Sequence, residues 1–475
     1  MAHVEMISQS DGPVLVIQSS LYRRLHDHLF RGDDDEHGAV LAASVVDTIR
    51  GKRLLVQEVF LAREGVDYLP GKFGYRALQP QFIYEKLHYC RERGLCYLAV
   101  HNHGGRDYVE FSETDRASHR RGYPALLDLA RGQPVGAVVF AENAAAGELW
   151  ITKDEQLRVR EVRVVGHRFE RLYRRPRLAS RQPKKEFDRQ LLMFGDLGQE
   201  LLSECKIAII GAGGAGSIEN ELAAQLGVGE IVSIDPDCIE LSNRSRVVGS
   251  RSEDCPASGQ GERKVTIAER VARQANPLVR YLQIADNVAI DDIALKIRDC
   301  DFIFLAADSM QARLVFNALV HQYLIPGIQV GAKVMAREHG GVAAAYSVVR
   351  WVTPDKGCLL CNGLIDPRQL AMEAKDDLAR RQQDYGTGQP NPSVVTMNAV
   401  AASHAVNDFM MGFLGIIRSD AETAYRRFDH LTRKMYLDEP RKDEACTECG
   451  AGDGSRLGMG DRVRLPTLLR RKEPA

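Results

Sequence analysis

The stretch Lys206–Arg246, KIAIIGAGGAGSIENELAAQLGVGEIVSIDPDCIELSNRSR, constrains this chain more than any other part of it. Lys206 to Ile210 is an apolar run of the kind that forms a buried parallel strand. It leads into GAGGAG, with glycines at Gly211, Gly213, Gly214 and Gly216, and a helical pattern starts near Ser217. A second apolar run, Glu230 to Ile234, ends on Asp235. Strand, glycine turn, helix, strand and terminal acid together predict a βαβ unit of Rossmann type. Glycines are needed where backbone passes close to phosphate, and the helix N-terminus offers unpaired N–H groups to the anion.

The residues beyond Asp235 narrow the chemistry. Asp237, Asn243 and Arg246 follow just past the strand end, Lys264 follows in GERK, and Asp308 follows the apolar run Phe302 to Leu305. A dinucleotide-dependent dehydrogenase needs one acid for a ribose and little positive charge beyond the turn. An Arg and a Lys that could grip a triphosphate, with a second acid to hold Mg²⁺, suit phosphate chemistry on ATP. This ordered set, over about Glu186 to Gly450, resembles the ThiF/MoeB and ubiquitin-activating enzyme family. The resemblance implies adenylation of the C-terminal carboxylate of a ubiquitin-like protein. Asp235 would accept ribose hydroxyls, Asn243, Arg246 and Lys264 would face the phosphates, and Asp308 would hold Mg²⁺. In EFDRQLLMFGDLGQELL, Arg189 matches a family arginine that reaches ATP from the neighbouring protomer, which implies a homodimer.

With 475 residues the chain is long enough for two or three domains, and a net charge of −1 gives no general pull toward nucleic acid or membrane. No long uncharged apolar run or signal peptide is visible, so a cytoplasmic location is expected. Ten cysteines in such a chain argue for thiols or metal rather than disulfides. Four of them form two CxxC pairs, Cys358 with Cys361 and Cys446 with Cys449, the signature of a structural four-cysteine zinc site. A redox dithiol is the weaker reading, because neither pair opens a thioredoxin-like helix. Thioester-forming family members carry a cysteine in the crossover between the pairs, but none occurs here between Cys361 and Cys446. The enzyme would then stop at the acyl-adenylate, use Cys255, or use a crossover hydroxyl such as Thr387. The segment Val247 to Gly261 is longer than expected and is expected to form an ordered or mobile loop beside the phosphates.

The N-terminal region alternates predicted strands and helices in an α+β pattern: strands at Val14–Gln18, Gly38–Val46, Arg53–Leu61, Cys96–Val100, Val135–Phe140 and Glu148–Thr152, and helices at Ser19–Phe30, Gln79–Arg93 and Glu113–Ala130. Its chemistry is in HNHGGRDYVEFSETD. His101 and His103, at i and i+2 on a strand end, point to one side, and with Asp115 they make a Zn²⁺ triad with a fourth position for water. The resulting net positive charge lowers the pKa of that water. The pattern His-x-His, spacer, Ser-x-x-Asp with an upstream acid resembles the JAB/JAMM metalloprotease family, which removes ubiquitin-like proteins from conjugates. The resemblance implies Glu36 as base and Ser112 as oxyanion helper. Gly104 stands where the family usually has Pro, the spacer is one residue longer, and Asp35 competes with Glu36 for the upstream position.

The expected layout is a JAB/JAMM-like α+β domain over 1–165, an exposed basic linker over 166–185, a Rossmann-like ThiF-type α/β domain with a four-cysteine zinc site over 186–450, and a tail over 451–475. The two resemblances imply a fusion that both activates and cleaves a ubiquitin-like partner, with a conjugating enzyme, in a bacterial ubiquitination-like operon, anti-phage systems included. A sulfur-carrier system and an inactive binding scaffold are the competing readings.

Overall fold

The computed structural model describes residues 12–69, 76–180, 184–337, 341–373, 392–418, 424–452 and 454–470. It divides into two compact units: Met1–Leu178 with Leu457–Val463, and Ala179–Arg456 with Arg464–Ala475.

In the first unit, β1 (Val14–Gln18) leads into α1 (Ser19–Leu29), followed by the hairpin β2 (Gly38–Thr48) and β3 (Gly51–Leu61). Next come α2 (Pro80–Glu92), β4 (Cys96–Asn102), α3 (Glu113–Ala130), β5 (Val135–Ala141), β6 (Ala144–Trp150), β7 (Gln156–Val159), β8 (Glu161–Val165) and β9 (Glu170–Leu172). The strands form one mixed sheet in the order β7-β6-β5-β4-β2-β3-β1-β8-β9. Successive side chains of β2 alternate between faces. Leu41 and Ala43 pack with Leu25 and Leu29 of α1, whereas Val40 and Ala42 pack with Phe82 and Leu87 of α2 and Tyr123 of α3. Both faces are covered, which is why β2 reads as an unbroken apolar run.

Three sequence expectations shift here. The strand expected at Glu148–Thr152 runs from Ala144 to Trp150, because the β5 hairpin pairs Ala141 with Ala144 and sets the register. Its alanines lack the β-branched or aromatic bulk that signals a strand. Part of the stretch expected as exposed linker, residues 170–172, is β9, paired to β8, and Phe169 and Leu172 are buried. Its many arginines hide two core residues. Within the expected tail, Leu457–Val463 belongs to this unit, where Gln57 Nε2 donates to the Gly458 carbonyl at 3.1 Å.

The second unit opens with α4 (Asp188–Glu204), β10 (Lys206–Ile210), α5 (Gly214–Gln225), β11 (Glu230–Ile234), α6 (Lys264–Ala275), β12 (Arg280–Ile284), α7 (Asp291–Ala294) and β13 (Phe302–Leu305). It continues with α8 (Met310–Gln322), β14 (Gly327–Ala336), β15 (Val342–Val352), α9 (Pro367–Glu373), α10 (Val395–Phe413), β16 (Tyr425–Asp429) and β17 (Lys434–Asp438). The sheet order is β12-β11-β10-β13-β14-β15-β16-β17. The first five strands are parallel and the last three add antiparallel. Ile207 and Ile209 of β10 are fully buried, each worth roughly 1.5–3 kcal/mol of apolar transfer. The chain reverses its direction of sheet growth between β10 and β13, which opens a crevice at the strand carboxyl ends, where ligands of such folds bind. Among the described residues no helix is long and apolar enough to cross a membrane.

Candidate functional site

The glycine turn lies at that crevice, and each glycine has its own reason. Gly211 has φ +99°, and a Cβ there would stand 2.8 Å from the Ala307 nitrogen. Ala306 and Ala307 both donate backbone N–H to the Ile210 carbonyl, so the end of β13 is pressed against the turn. A Cβ on Gly214 would meet Asn398 Nδ2 of α10 at 2.3 Å, while one on Gly213 would meet nothing within 4 Å. The turn is thus packed on both sides and open at Gly213. The helix begins at Gly214, earlier than Ser217, because the Ser217 N–H already bonds the Gly213 carbonyl. A Cβ on Gly216 would sit 1.8 Å from the Gly211 carbonyl oxygen. Gly216→Ala is therefore expected to destabilise the second unit by about 1–3 kcal/mol or more through overpacking. A urea midpoint equal to wild type would refute this packing account.

Asp235 is buried, and its carboxylate staples the turn to the end of β11. Oδ2 accepts from Ala212 N at 2.7 Å and Oδ1 from Asp237 N at 2.9 Å. Burial pushes its pKa up, partly offset by the charge of Lys264. Lys264 opens α6 and its Nζ donates to Asp237 Oδ2 at 2.8 Å. Burial works to lower the Lys264 pKa, but Asp235 and Asp237 overcome it, so the ammonium is held charged. Arg246 stands near enough to oppose that charge. It bonds the Ser242 carbonyl at 3.0 Å, and the Asn243 side-chain oxygen accepts from Glu240 N at 3.3 Å. The Val247–Gly261 segment is tied to α5 and α6. Val248 N donates to Ser217 Oγ, and buried Asp254 pairs with Arg270. Cys255 beside it is half-buried. Asp308 is exposed in the turn opposite Gly211, and Arg189 is exposed in the first turn of α4. Thr387 and most of the crossover lie outside the described residues.

The four cysteines come together although the pairs are 88 residues apart: Cys358 Sγ lies 3.7 Å from Cys446 Sγ, and Cys361 Sγ lies 3.6 Å from Cys449 Sγ. Those distances are far too long for disulfides. They match the roughly 3.8 Å sulfur separation of a tetrahedron with Zn–S bonds of about 2.3 Å. The Cys361 and Glu448 backbone N–H groups point at the Cys358 and Cys446 sulfurs, each at 3.4 Å. A hydrogen bond from Cys449 holds the Cys358 thiol well below the usual range. This donor set fits zinc.

In the first unit the antiparallel pairing of Gly38 with His101 delivers the segment before β2 to the end of β4. His101 Nε2 lies 3.1 Å from His103 Nε2, and the two stand 3.5 and 3.3 Å from Asp115 Oδ2. A tetrahedral metal with bonds of about 2.0–2.1 Å sets its ligand atoms roughly 3.3 Å apart, so the triad fits zinc. Glu36 Oε1 is 3.8 Å from His103 Nε2. Burial raises the Glu36 pKa, against the two histidines. Burial would likewise raise Asp115, but hydrogen bonds from His101, His103 and Ser112 prevail and hold it far below the usual carboxylate range. Ser112 forms a capping box with Asp115, donating its hydroxyl to Oδ2 at 2.7 Å and accepting Asp115 N at 3.1 Å. Its observed contacts therefore orient Asp115.

Sequence reading missed several residues. Asn102, between the two histidines, accepts the His37 N–H on Oδ1 at 2.6 Å and returns its own N–H to the His37 carbonyl, which pins the neighbour of Glu36. Glu373 accepts the Met310 and Gln311 N–H groups at 3.0 Å each, capping α8 just past Asp308. Glu219, in α5, is completely buried, and neither of its oxygens is bonded among the described residues. Asn102 fills the variable position of His-x-His, and each of the three acts through a partner distant in sequence or through burial.

The fold and the glycine crevice define a Rossmann-type nucleotide-binding unit with a candidate four-cysteine metal site. Residues 187–451, more than half of the chain, match the model described as the ThiF family, and the chain belongs to that family. It is 28% identical over 280 residues to the sulfur carrier protein ThiS adenylyltransferase of Bacillus subtilis, covering 58% of this chain and 74% of that protein. It is 30% identical to the sulfur carrier protein adenylyltransferase of Thermus thermophilus, over 29% of this chain and 51% of that one. It is 26% identical to the SAMP-activating enzyme E1 of Haloferax volcanii, over 37% and 60% respectively. Among solved structures, E. coli MccB aligns with a TM-score of 0.44 at 21% identity, covering 56% of this chain and 75% of that one.

Proposed function

We propose that the second unit adenylates the C-terminal carboxylate of a small carrier protein of ubiquitin-like type, and that the first unit is a zinc peptidase acting on the same partner. The observation that carries the adenylation reading is the bonded set Ala212–Asp235–Asp237–Lys264 at the open glycine turn of a ThiF-family chain. In this reading the turn and the first N–H groups of α5 cradle phosphate, and the spare lone pairs of Asp235 accept ribose hydroxyls. Arg246 and Lys264 neutralise the phosphates, Asn243 faces them as a neutral hydrogen-bonding group, Asp308 would hold Mg²⁺, and Arg189 is supplied by a second copy of the chain. The carrier carboxylate attacks the α-phosphorus of ATP, a carboxyl–phosphate anhydride forms, and the α–β P–O bond breaks to release pyrophosphate. The residues act by positioning and charge.

The names of these relatives support a small carrier, and two of the three name a sulfur carrier. The absence of cysteine between Cys361 and Cys446 supports direct hand-over from the adenylate rather than from a crossover thioester. A conjugating enzyme belongs to this reading where the carrier is attached to proteins. With such a carrier and Mg²⁺, the protein is expected to exchange pyrophosphate into ATP, and Asp308→Ala or Arg246→Ala to slow exchange about 10²-fold with the fold intact. Wild-type exchange rates in both variants would overturn the assignment.

The peptidase reading rests on the triad geometry. A zinc held by His101, His103 and Asp115 would supply Lewis-acid polarisation of the scissile carbonyl. Glu36 takes the proton of the attacking water and passes it to the leaving amine. Ser112 and Asn102 keep Asp115 and the Glu36 segment in place.

A further inference from the structure

Asn317 lies in the C-terminal half of α8 and is fully buried. Its amide bonds to one residue inside each CxxC loop. Oδ1 accepts the N–H of Leu359, the residue after Cys358, at 2.9 Å. Nδ2 donates to Oε2 of Glu448, which stands between Cys446 and Cys449, at 3.3 Å. A backbone N–H can only donate and a carboxylate can only accept, so the amide has one orientation. The other Glu448 oxygen accepts from Arg456 Nε at 3.0 Å, and Arg456 Nη1 donates to Gln322 Oε1 at 2.8 Å, at the end of the same helix.

The two pairs are 88 residues apart, and four sulfurs make a tetrahedral site only if both loops are held within a few tenths of an ångström. A rigid helix that hydrogen-bonds one loop through its backbone and the other through a side chain supplies that spacing. We propose that Asn317 is the positioning residue of the four-cysteine site, setting the distance between the loops so that the sulfurs are poised for a metal ion. This rests on reading the four cysteines as a zinc site and is independent of the adenylation chemistry.

The test uses the full chain, with zinc affinity measured by competition against a chromophoric chelator and site geometry read from the absorption of the Co²⁺-loaded protein. Asn317→Ala is expected to weaken zinc about 10–100-fold and to change the Co²⁺ bands. Asn317→Asp keeps the acceptor for Leu359 but sets a carboxylate against Glu448, and it is expected to weaken zinc similarly. Adding Glu448→Gln restores a donor facing the introduced carboxylate while the new amide oxygen still accepts from Arg456, so the double variant is expected to recover most of the affinity. If Asn317→Ala does not fold, the Asn317→Asp variant and its rescue decide. Wild-type affinity in Asn317→Asp, or equal loss in the double variant, would overturn the proposal. A wild-type chain that takes up no zinc at the four cysteines would instead overturn the zinc reading itself.

Discussion

For the proposed peptidase, Glu36→Ala is expected to keep zinc at the His101–His103–Asp115 triad and to lose about 10²–10⁴-fold in cleavage of a carrier protein bearing a short C-terminal extension. The distances set the logic. His101 Nε2, His103 Nε2 and Asp115 Oδ2 lie within 3.1–3.5 Å of one another, whereas Glu36 stands outside that triad, 3.8 Å from His103 Nε2. In the proposed peptidase a metal can be held without Glu36, whereas proton transfer loses its base. His101→Ala is expected to lose both metal and cleavage. Both variants should keep pyrophosphate exchange, since the residues proposed for that reaction all lie in the second unit. Metal analysis with a cleavage assay checks all three statements. Full cleavage by Glu36→Ala would move the base to Asp35 or another acid, and wild-type protein without zinc at the triad would end the peptidase reading.

Stability should fall with rising pH in a way that Glu219→Gln removes. Burial, with no hydrogen-bond partner among the described residues, pushes the Glu219 pKa from 4.5 to about 8. Below pH 4.5 the group is neutral in folded and unfolded chains and costs little. As pH rises from 4.5 to about 8 the unfolded chain ionises while the folded one must stay neutral, so stability is lost progressively. Above the folded pKa the full penalty remains, on the order of 4–5 kcal/mol. Glutamine has nearly the same shape and no charge. The wild-type urea midpoint should therefore drop between about pH 6 and pH 8 by the equivalent of about 2–3 kcal/mol beyond any drop in the variant. Parallel curves would show that Glu219 meets a counter-charge or water in solution.

Much of both units was legible because their signals are local. The β10 run, the glycine turn and β11 follow from apolar patterning and from glycine chemistry over neighbouring residues, and α3 with its Ser112 cap follows from its first turn. His101 and His103 share a side because strands repeat every two residues. Asp115 joins them because the helix that starts at Glu113 turns back on that strand end.

The same local cues misled where composition disguised burial. The arginine-rich stretch after Val165 contains β9, and the tail contains a loop of the first unit, since a single Phe, Leu or Gly among charges carries little periodic signal. By itself, the sequence determined the Rossmann unit, the order of its charged residues, the two cysteine pairs and the His-x-His triad, because each is a matter of residue type at short spacing. Only the tertiary structure decided that Asp235 grips the glycine turn, that Asn102 pins the Glu36 segment, that Asn317 bonds to loops 88 residues apart, and that Glu219 is buried without a partner among the described residues. Those facts depend on desolvation and on hydrogen bonds between distant segments, and neither exists until the chain has closed around them.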